Sequence, residues 1–327
     1  MFLRITRTTI EHKLFSNWQA AATAASLPAF GLLLMATAGV FAAEREFESI
    51  VYPAANATVT SATGINSRGD IVGQYRQGAG PTSVLHGFLL DRHGQYASID
   101  HPGAVATNAW GIGSTGAIAG DYRVTSADPI LGFVLSDGNW TTIDCEPTLG
   151  AVHTFAFGVN ASGEVAGEYK LSGVPLQAPG RAFLYRDGEC IDITPPVAGG
   201  GASVAVAWAI SDAGDTVGYY NSGGVLHGWV RDRHGAYSML DHPDGASTNL
   251  RGVNASGEIV GLYRDTASVS HGFHRDGDGA FTTLDYPAAA VQRALGVNAR
   301  GDVVGDYSGA DCAAARCAWV WRRSTLD

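Results

Sequence analysis

Six near-copies of one short phrase constrain this chain more than any other feature. Gly64 to Tyr75 reads GINSRGDIVGQY, and it returns as GIGSTGAIAGDY from Gly111, GVNASGEVAGEY from Gly158, AISDAGDTVGYY from Ala209, GVNASGEIVGLY from Gly252 and GVNARGDVVGDY from Gly296. Counted on the last glycine of each (Gly73, Gly120, Gly167, Gly218, Gly261, Gly305), the spacings are 47, 47, 51, 43 and 44 residues. A period of this size marks supersecondary units that stack or arrange radially, because one unit cannot bury its own apolar face.

Within a copy the apolar residues follow short runs and never sustain three or four helical turns, so the unit is built of strands. Ala62–Asn66 is expected as strand one and Asp70–Tyr75 as strand two. Between them Ser67-Arg68-Gly69 turns the chain: Asn66 can bond back to its own backbone, and Gly69 can take positive φ without a Cβ clash. Strand three is His86–Leu90, with counterparts beginning at Leu131, Arg181, His227, His271 and Cys317. Strand four is Tyr96–Asp100 and stops at Pro102, which has no ladder donor; Pro147, Pro196, Pro243 and Pro287 stop its counterparts. Four antiparallel strands per repeat make a propeller blade.

The two ends are complementary. Phe47 to Pro53 resembles strand four alone, whereas the sixth copy ends after strand three at Cys317–Trp321. A ring that completes its last blade with the first strand of the chain leaves no edge open between blades. An open solenoid would instead need polar capping repeats, and none is visible. The fold class expected is all-β: a six-bladed β-propeller of four-stranded antiparallel blades, the last closed by the strand around Ile50.

Residues 1–43 read as a secretory signal peptide. Arg4, Arg7 and Lys13 precede a small and apolar stretch, densest from Leu27 to Val40, with cleavage expected near Ala42 or Ala43. An uncleaved anchor helix over Ala20–Ala43 is the alternative. The propeller domain is then 44–327, with no further span, in a secreted or periplasmic protein. The whole chain carries 21 Lys and Arg against 31 Asp and Glu, and Lys170 is the one lysine beyond the leader. That balance argues against nucleic acid and anionic lipid as partners.

An even number of cysteines in an oxidising compartment favours disulfides. Cys312 and Cys317 flank a short loop and are the expected pair. Cys145 and Cys190 pair only by elimination, and their geometry looks wrong: one ends its fourth strand on the loop face, the other starts its fourth strand on the opposite face. Close-spaced Cys and His ligands are lacking, and Asp276-Gly277-Asp278-Gly279 falls short of a calcium loop, so no metal is expected. Phosphate-cradling loops, HExxH and GxSxG are absent too, and no cofactor is expected.

In such a meander the loops between strands two and three, and the links between blades, emerge on one face. Those loops vary in length and content on a fixed scaffold, which is where binding usually resides. The innermost strands carry Trp110, Phe157, Trp208, Arg251 and Leu295 at the position of Thr63. Such side chains ordinarily wedge between blades; the alternative is a central aromatic pocket in which Arg251 meets an anion. His101 and His242 follow fourth strands on the loop face and are candidate ligand contacts. Tyr75, His86 and Asp100 should meet at one blade edge, as should Tyr220, His227 and Asp241, and Tyr263, His271 and Asp285. Three copies of a carboxylate, an imidazole and a phenol read better as blade-locking hydrogen bonds than as acid/base machinery.

The combination of GxNxxGxxxGxY, H-G/A-F and a closing I/L-D-x-P, repeated over about Phe47–Trp321, resembles the HAF-repeat family of extracellular bacterial proteins. That resemblance implies export and a repeat fold, and no established chemistry. Local departures are Gly113 and Ser211 in place of the turn Asn, and Leu131, Arg181 and Cys317 in place of the third-strand His. These remove that His as a universal catalytic group. The reading is therefore an exported, monomeric propeller that binds or scaffolds an extracellular glycan or protein through its variable loops. The alternatives are a polysaccharide lyase or hydrolase at the mouth of the channel, its catalytic residues unassigned, and a purely structural surface protein.

Overall fold

The computed structural model describes residues 47–53, 57–78, 83–196, 204–287, 289–310, 312 and 316–323; the leader expected over 1–43 lies outside them. Each repeat folds as a four-stranded antiparallel sheet, and six sheets form the propeller. The chain enters with β1 (Phe47–Ile50) and then builds blade one from β2 (Ala57–Ile65), β3 (Ile71–Gln77), β4 (Val84–Leu90) and β5 (Tyr96–Ile99). Blade two is β6 (Ala106–Ile112), β7 (Ile118–Arg123), β8 (Leu131–Ser136) and β9 (Asn139–Ile143), followed by the short helix α1 (Glu146–Leu149). Blade three is β10 (His153–Val159), β11 (Val165–Lys170), β12 (Arg181–Arg186) and β13 (Glu189–Asp192). Blade four is β14 (Val204–Ile210), β15 (Thr216–Ser222), β16 (Val225–Arg231) and β17 (Tyr237–Met239). Blade five is β18 (Ser247–Val253), β19 (Ile259–Arg264), β20 (Ser270–Arg275) and β21 (Phe281–Leu284). Blade six holds β22 (Ala289–Val297), β23 (Val303–Gly309) and β24 (Cys317–Trp321), and β1 completes it with Phe47 opposite Trp321 and Ile50 opposite Ala318.

The repeated phrase has a physical reason at each position. Asn66 Oδ1 accepts the backbone N–H of Arg68 and of Asp70, each at 3.0 Å, while its amide donates to Asp70 Oδ2 at 3.0 Å. Gly69 in that turn sits at φ +92°, as the sequence requires. The same amides lace the inner ends of the blades together: Asn298 Nδ2 donates to Asn66 O at 3.1 Å and Asn254 Nδ2 to Asn298 O at 2.8 Å.

Strand two keeps its glycine for space. A Cβ on Gly167 would lie 2.1 Å from Phe155 O and 2.5 Å from the ring of Phe183. The aromatic residue of strand three (Phe88, Phe133, Phe183, Trp229, Phe273, Trp319) is fully buried in every blade and lies over that glycine. Close packing of a large ring onto bare backbone thus links H-G-F to the glycine of G-x-Y.

A ring staple joins neighbouring blades. The residue x of I/L-D-x-P reaches into the next blade and lies on the tyrosine that ends its second strand. His101 stacks on Tyr122 at 3.6 Å, His242 on Tyr263 at 3.7 Å, Tyr286 on Tyr307 at 3.9 Å and Tyr52 on Tyr75 at 3.7 Å. Each also meets the aromatic residue at the start of that blade's outer strand edge-on: Trp140, Phe281, Phe47 and Tyr96 respectively, at 4.8 to 5.4 Å.

Cys145 and Cys190 form a disulfide, against the expectation from the strand ends, and so do Cys312 and Cys317. They occupy the staple pair between blades two and three: Cys145 stands where His101 and His242 stand, and Cys190 where Trp140 and Phe281 stand. Twist brings these two strand ends together. Across three strand-to-strand steps it accumulates to about 60–75°, so an outer strand leans across the blade. Its start then approaches the end of the preceding blade's outer strand. Helix α1 follows directly on Cys145 and packs on β13, keeping the bridge buried.

Candidate functional site

All six inner strands carry the same β-bulge. Pairing with strand two slips between Ala62 and Gly64, Ala109 and Gly111, Ala156 and Gly158, Ala207 and Ala209, Leu250 and Gly252, and Ala294 and Gly296. The unpaired residues are Thr63, Trp110, Phe157, Trp208, Arg251 and Leu295. A bulge re-aims its extra side chain, and these six point at the axis. The glycines beside them let the inner strands close in: a Cβ on Gly111 would lie 2.4 Å from Phe157 O.

Above this ring lies a cavity of about 550 Å3 at the centre of the variable-loop face. Its floor is the ring itself, which also lines the narrower channel beneath. The walls add Ser61, Gln74, Arg76, Leu85, Asn108, Arg293 and Arg316. Trp110, Phe157, Trp208 and Arg251, which sequence left between two placements, therefore share one site instead of wedging between blades.

The site has two unlike sides. On one, Phe157 stacks on Trp208 at 4.2 Å, and Trp110 meets both edge-on at 5.4 and 5.9 Å. On the other stand Arg251, Arg293, Arg316 and Arg76. Arg251 joins the two, its guanidinium 3.7 Å from the Trp208 ring centre. Among the described residues lining the cavity there is no carboxylate and no imidazole.

Acidic groups stand behind this lining, each already held. Asp306 accepts Arg293 Nε at 2.7 Å and Ser61 Oγ at 2.5 Å, and Arg316 lies 3.4 Å away. Asp121 accepts the Trp110 indole N–H and Asn108 Nδ2, fixing the indole. Burial nevertheless pushes the Asp121 carboxyl up to about 6, against the lowering effect of those bonds. Glu168 pairs with buried Lys170 at 3.0 Å, and burial pushes its carboxyl up as well.

Arg251 has no such partner: among the described residues it makes no hydrogen bond and no ion pair, and its Nε is buried unmatched. Burial first, then the neighbouring Arg293, push its guanidinium down to about 9, so at neutral pH it remains charged.

Sequence missed the strand-two contribution. The middle residue of G-x-Y (Gln74, Asp121, Glu168, Tyr219, Leu262, Asp306) varies while both neighbours are kept, and it alternates onto the channel side. That variation between two fixed residues was a readable signal. Arg293, two residues before Leu295 on the same strand face, follows by the same rule.

The other named residues lie elsewhere. His101 and His242 are the staples already described, stacked on Tyr122 and Tyr263. His242 is 3% exposed, because the link after strand four dives into the next blade instead of remaining on the surface. Burial lowers the pKa of both imidazoles. His86 Nδ1 lies 2.7 Å from Asp100, His227 Nδ1 2.7 Å from Asp241 and His271 Nδ1 3.0 Å from Asp285. Tyr75, Tyr220 and Tyr263 stack on these imidazoles at 4.9, 5.2 and 4.9 Å. In blade three Arg181 replaces the histidine and bonds both Tyr169 and Asp192.

No family model matches the chain, and no characterised protein sequence matches it. Solved structures do match in fold. A triple arginine-to-alanine variant of AofleA from Arthrobotrys oligospora aligns with TM-score 0.51 and 13% identity over 85% of this chain and 87% of that one. The SapL1 lectin in complex with alpha methyl fucoside gives 0.50 and 11%, over 82% and 94%. TolB from Acinetobacter baumannii gives 0.50 and 12%, over 78% of this chain and 64% of that one. The chain is thus similar in fold to solved proteins that include a lectin.

Proposed function

We propose that this chain is an exported binding propeller that receives a glycan in the cavity at the centre of its variable-loop face. One observation carries the reading: a cavity of about 550 Å3, within the roughly 300–1,000 Å3 of small-ligand pockets, that sets an indole and phenyl wall beside a guanidinium cluster. Aromatic faces offer sugars apolar contact, and guanidinium groups offer forked hydrogen bonds. The scaffold is one on which the SapL1 lectin holds alpha methyl fucoside, an analogy of fold alone. Two disulfides and the HAF-like repeat support export to the periplasm or beyond, as does the leader-like segment.

The test is a binding screen of protein purified after expression of the full chain, against bacterial and plant polysaccharides, with product release followed in the same wells. Binding without products, lost in Trp110→Ala, is the expected result. Products would replace the reading with an enzyme, and binding indifferent to Trp110→Ala would move the site off the cavity.

A further inference from the structure

The charge arrangement narrows the ligand class. Buried charges are normally paired or hydrogen-bonded, and every carboxylate close to the cavity has such partners: Asp306 is held by Arg293, Ser61 and Arg316, Asp121 by the neutral donors Trp110 and Asn108, and Glu168 by Lys170. Arg251 is the exception. It sits beside Arg293, a like charge that is already neutralised, and it stacks on Trp208, which leaves the in-plane N–H groups for an acceptor. The chain as a whole has a formal net charge of −10, so cations gathered around one cavity are not the by-product of a basic surface.

Resting on the reading that this cavity is a binding site, we infer that its ligand is an acidic glycan, whose hexuronate carboxylate pairs with Arg251 while the sugar ring lies against the Trp110–Phe157–Trp208 wall. A carboxylate presents two coplanar oxygens, the acceptor that a single guanidinium fork matches. A neutral sugar would offer Arg251, half-buried and with its Nε covered, no counter-charge.

The experiment is calorimetric titration of the purified full-chain product with galacturonate oligomers, galactose oligomers of equal length, and benzoate. The wild-type protein should prefer the acidic oligomer by at least about tenfold, and Arg251→Gln should erase that preference while Arg251→Lys keeps part of it. Thermal melts accompany each variant. Because Arg251 makes no ion pair or hydrogen bond with the described residues, Arg251→Gln should leave the melting temperature close to wild type, so lost binding in a folded variant speaks for recognition. Equal affinity for both oligomers, lost in Trp110→Ala but not in Arg251→Gln, would overturn the acidic ligand and leave the site standing. Acidic binding indifferent to both substitutions would overturn the site too. Benzoate binding as tightly as galacturonate would overturn the sugar, and silence with all three probes would overturn the inference.

Discussion

Replacing Asp121 with asparagine should stabilise the propeller in a manner that depends on pH. The carboxyl is buried, and burial moves its pKa from 3.8 to about 6 in the folded chain. Below pH 3.8 it is protonated folded or unfolded, and costs nothing. Between the two values the native chain holds a proton that the unfolded chain has released, so stability falls as pH rises; above about 6 the charged group is buried at full cost. At about 1.4 kcal/mol per pH unit, the span of about two units sets that cost near 3 kcal/mol. The amide of the variant would carry none of it, although it can accept from only one of Trp110 and Asn108, a loss of about 1 kcal/mol that does not vary with pH. Urea unfolding of wild type and Asp121→Asn at intervals from pH 4 to pH 8 reads the difference directly, because other titrating groups cancel. The expected gap grows by about 2.5 kcal/mol from pH 4 to pH 8 in favour of the variant. A gap that stays constant would show that the carboxyl titrates normally and that the burial argument is wrong.

Two further outcomes follow from the scaffold. Losing the Cys145–Cys190 bridge by Cys145→Ser with Cys190→Ser should cost about 4 kcal/mol, and losing Cys312–Cys317 about 2, given sequence separations of 45 and 5; denaturant midpoints of the two double variants decide the order. Gly167→Ala should lower stability by about 1–3 kcal/mol or more, since its Cβ meets both a carbonyl oxygen and a buried ring; an unchanged melting temperature would contradict the packing account.

Much of this architecture could be read without coordinates, and the reasons are local. Turn chemistry, the strand-two glycine and the proline after strand four act over a few residues, so they survive as text, and counting them gave six blades. Phe47–Ile50 and Cys317–Trp321 were recognisable as the missing halves of one sheet by the same logic. The bulge was not readable, because one extra residue leaves the spacing of the phrase unchanged while it turns Trp110, Trp208 and Arg251 onto the axis. Nor was the Cys145–Cys190 contact, which depends on twist summed over a whole blade. His242 was misjudged for a related reason: a residue after a strand looks exposed in one dimension, whereas here the chain is already entering its neighbour. The pairing state of Arg251 required seeing which of several carboxylates its neighbours had claimed.

Closure by the first strand also fixes the order of events in biogenesis. Phe47 leaves the ribosome before the other strands and finds its partner, Trp321, only after all of them have been made. Five blades can assemble from contiguous chain, but the sixth waits, and with it the burial of Ile50. Such a long-range contact forms late and pays a loop-closure entropy before any gain arrives. The open ring is consequently the species most exposed to proteases and to pairing with a second open ring.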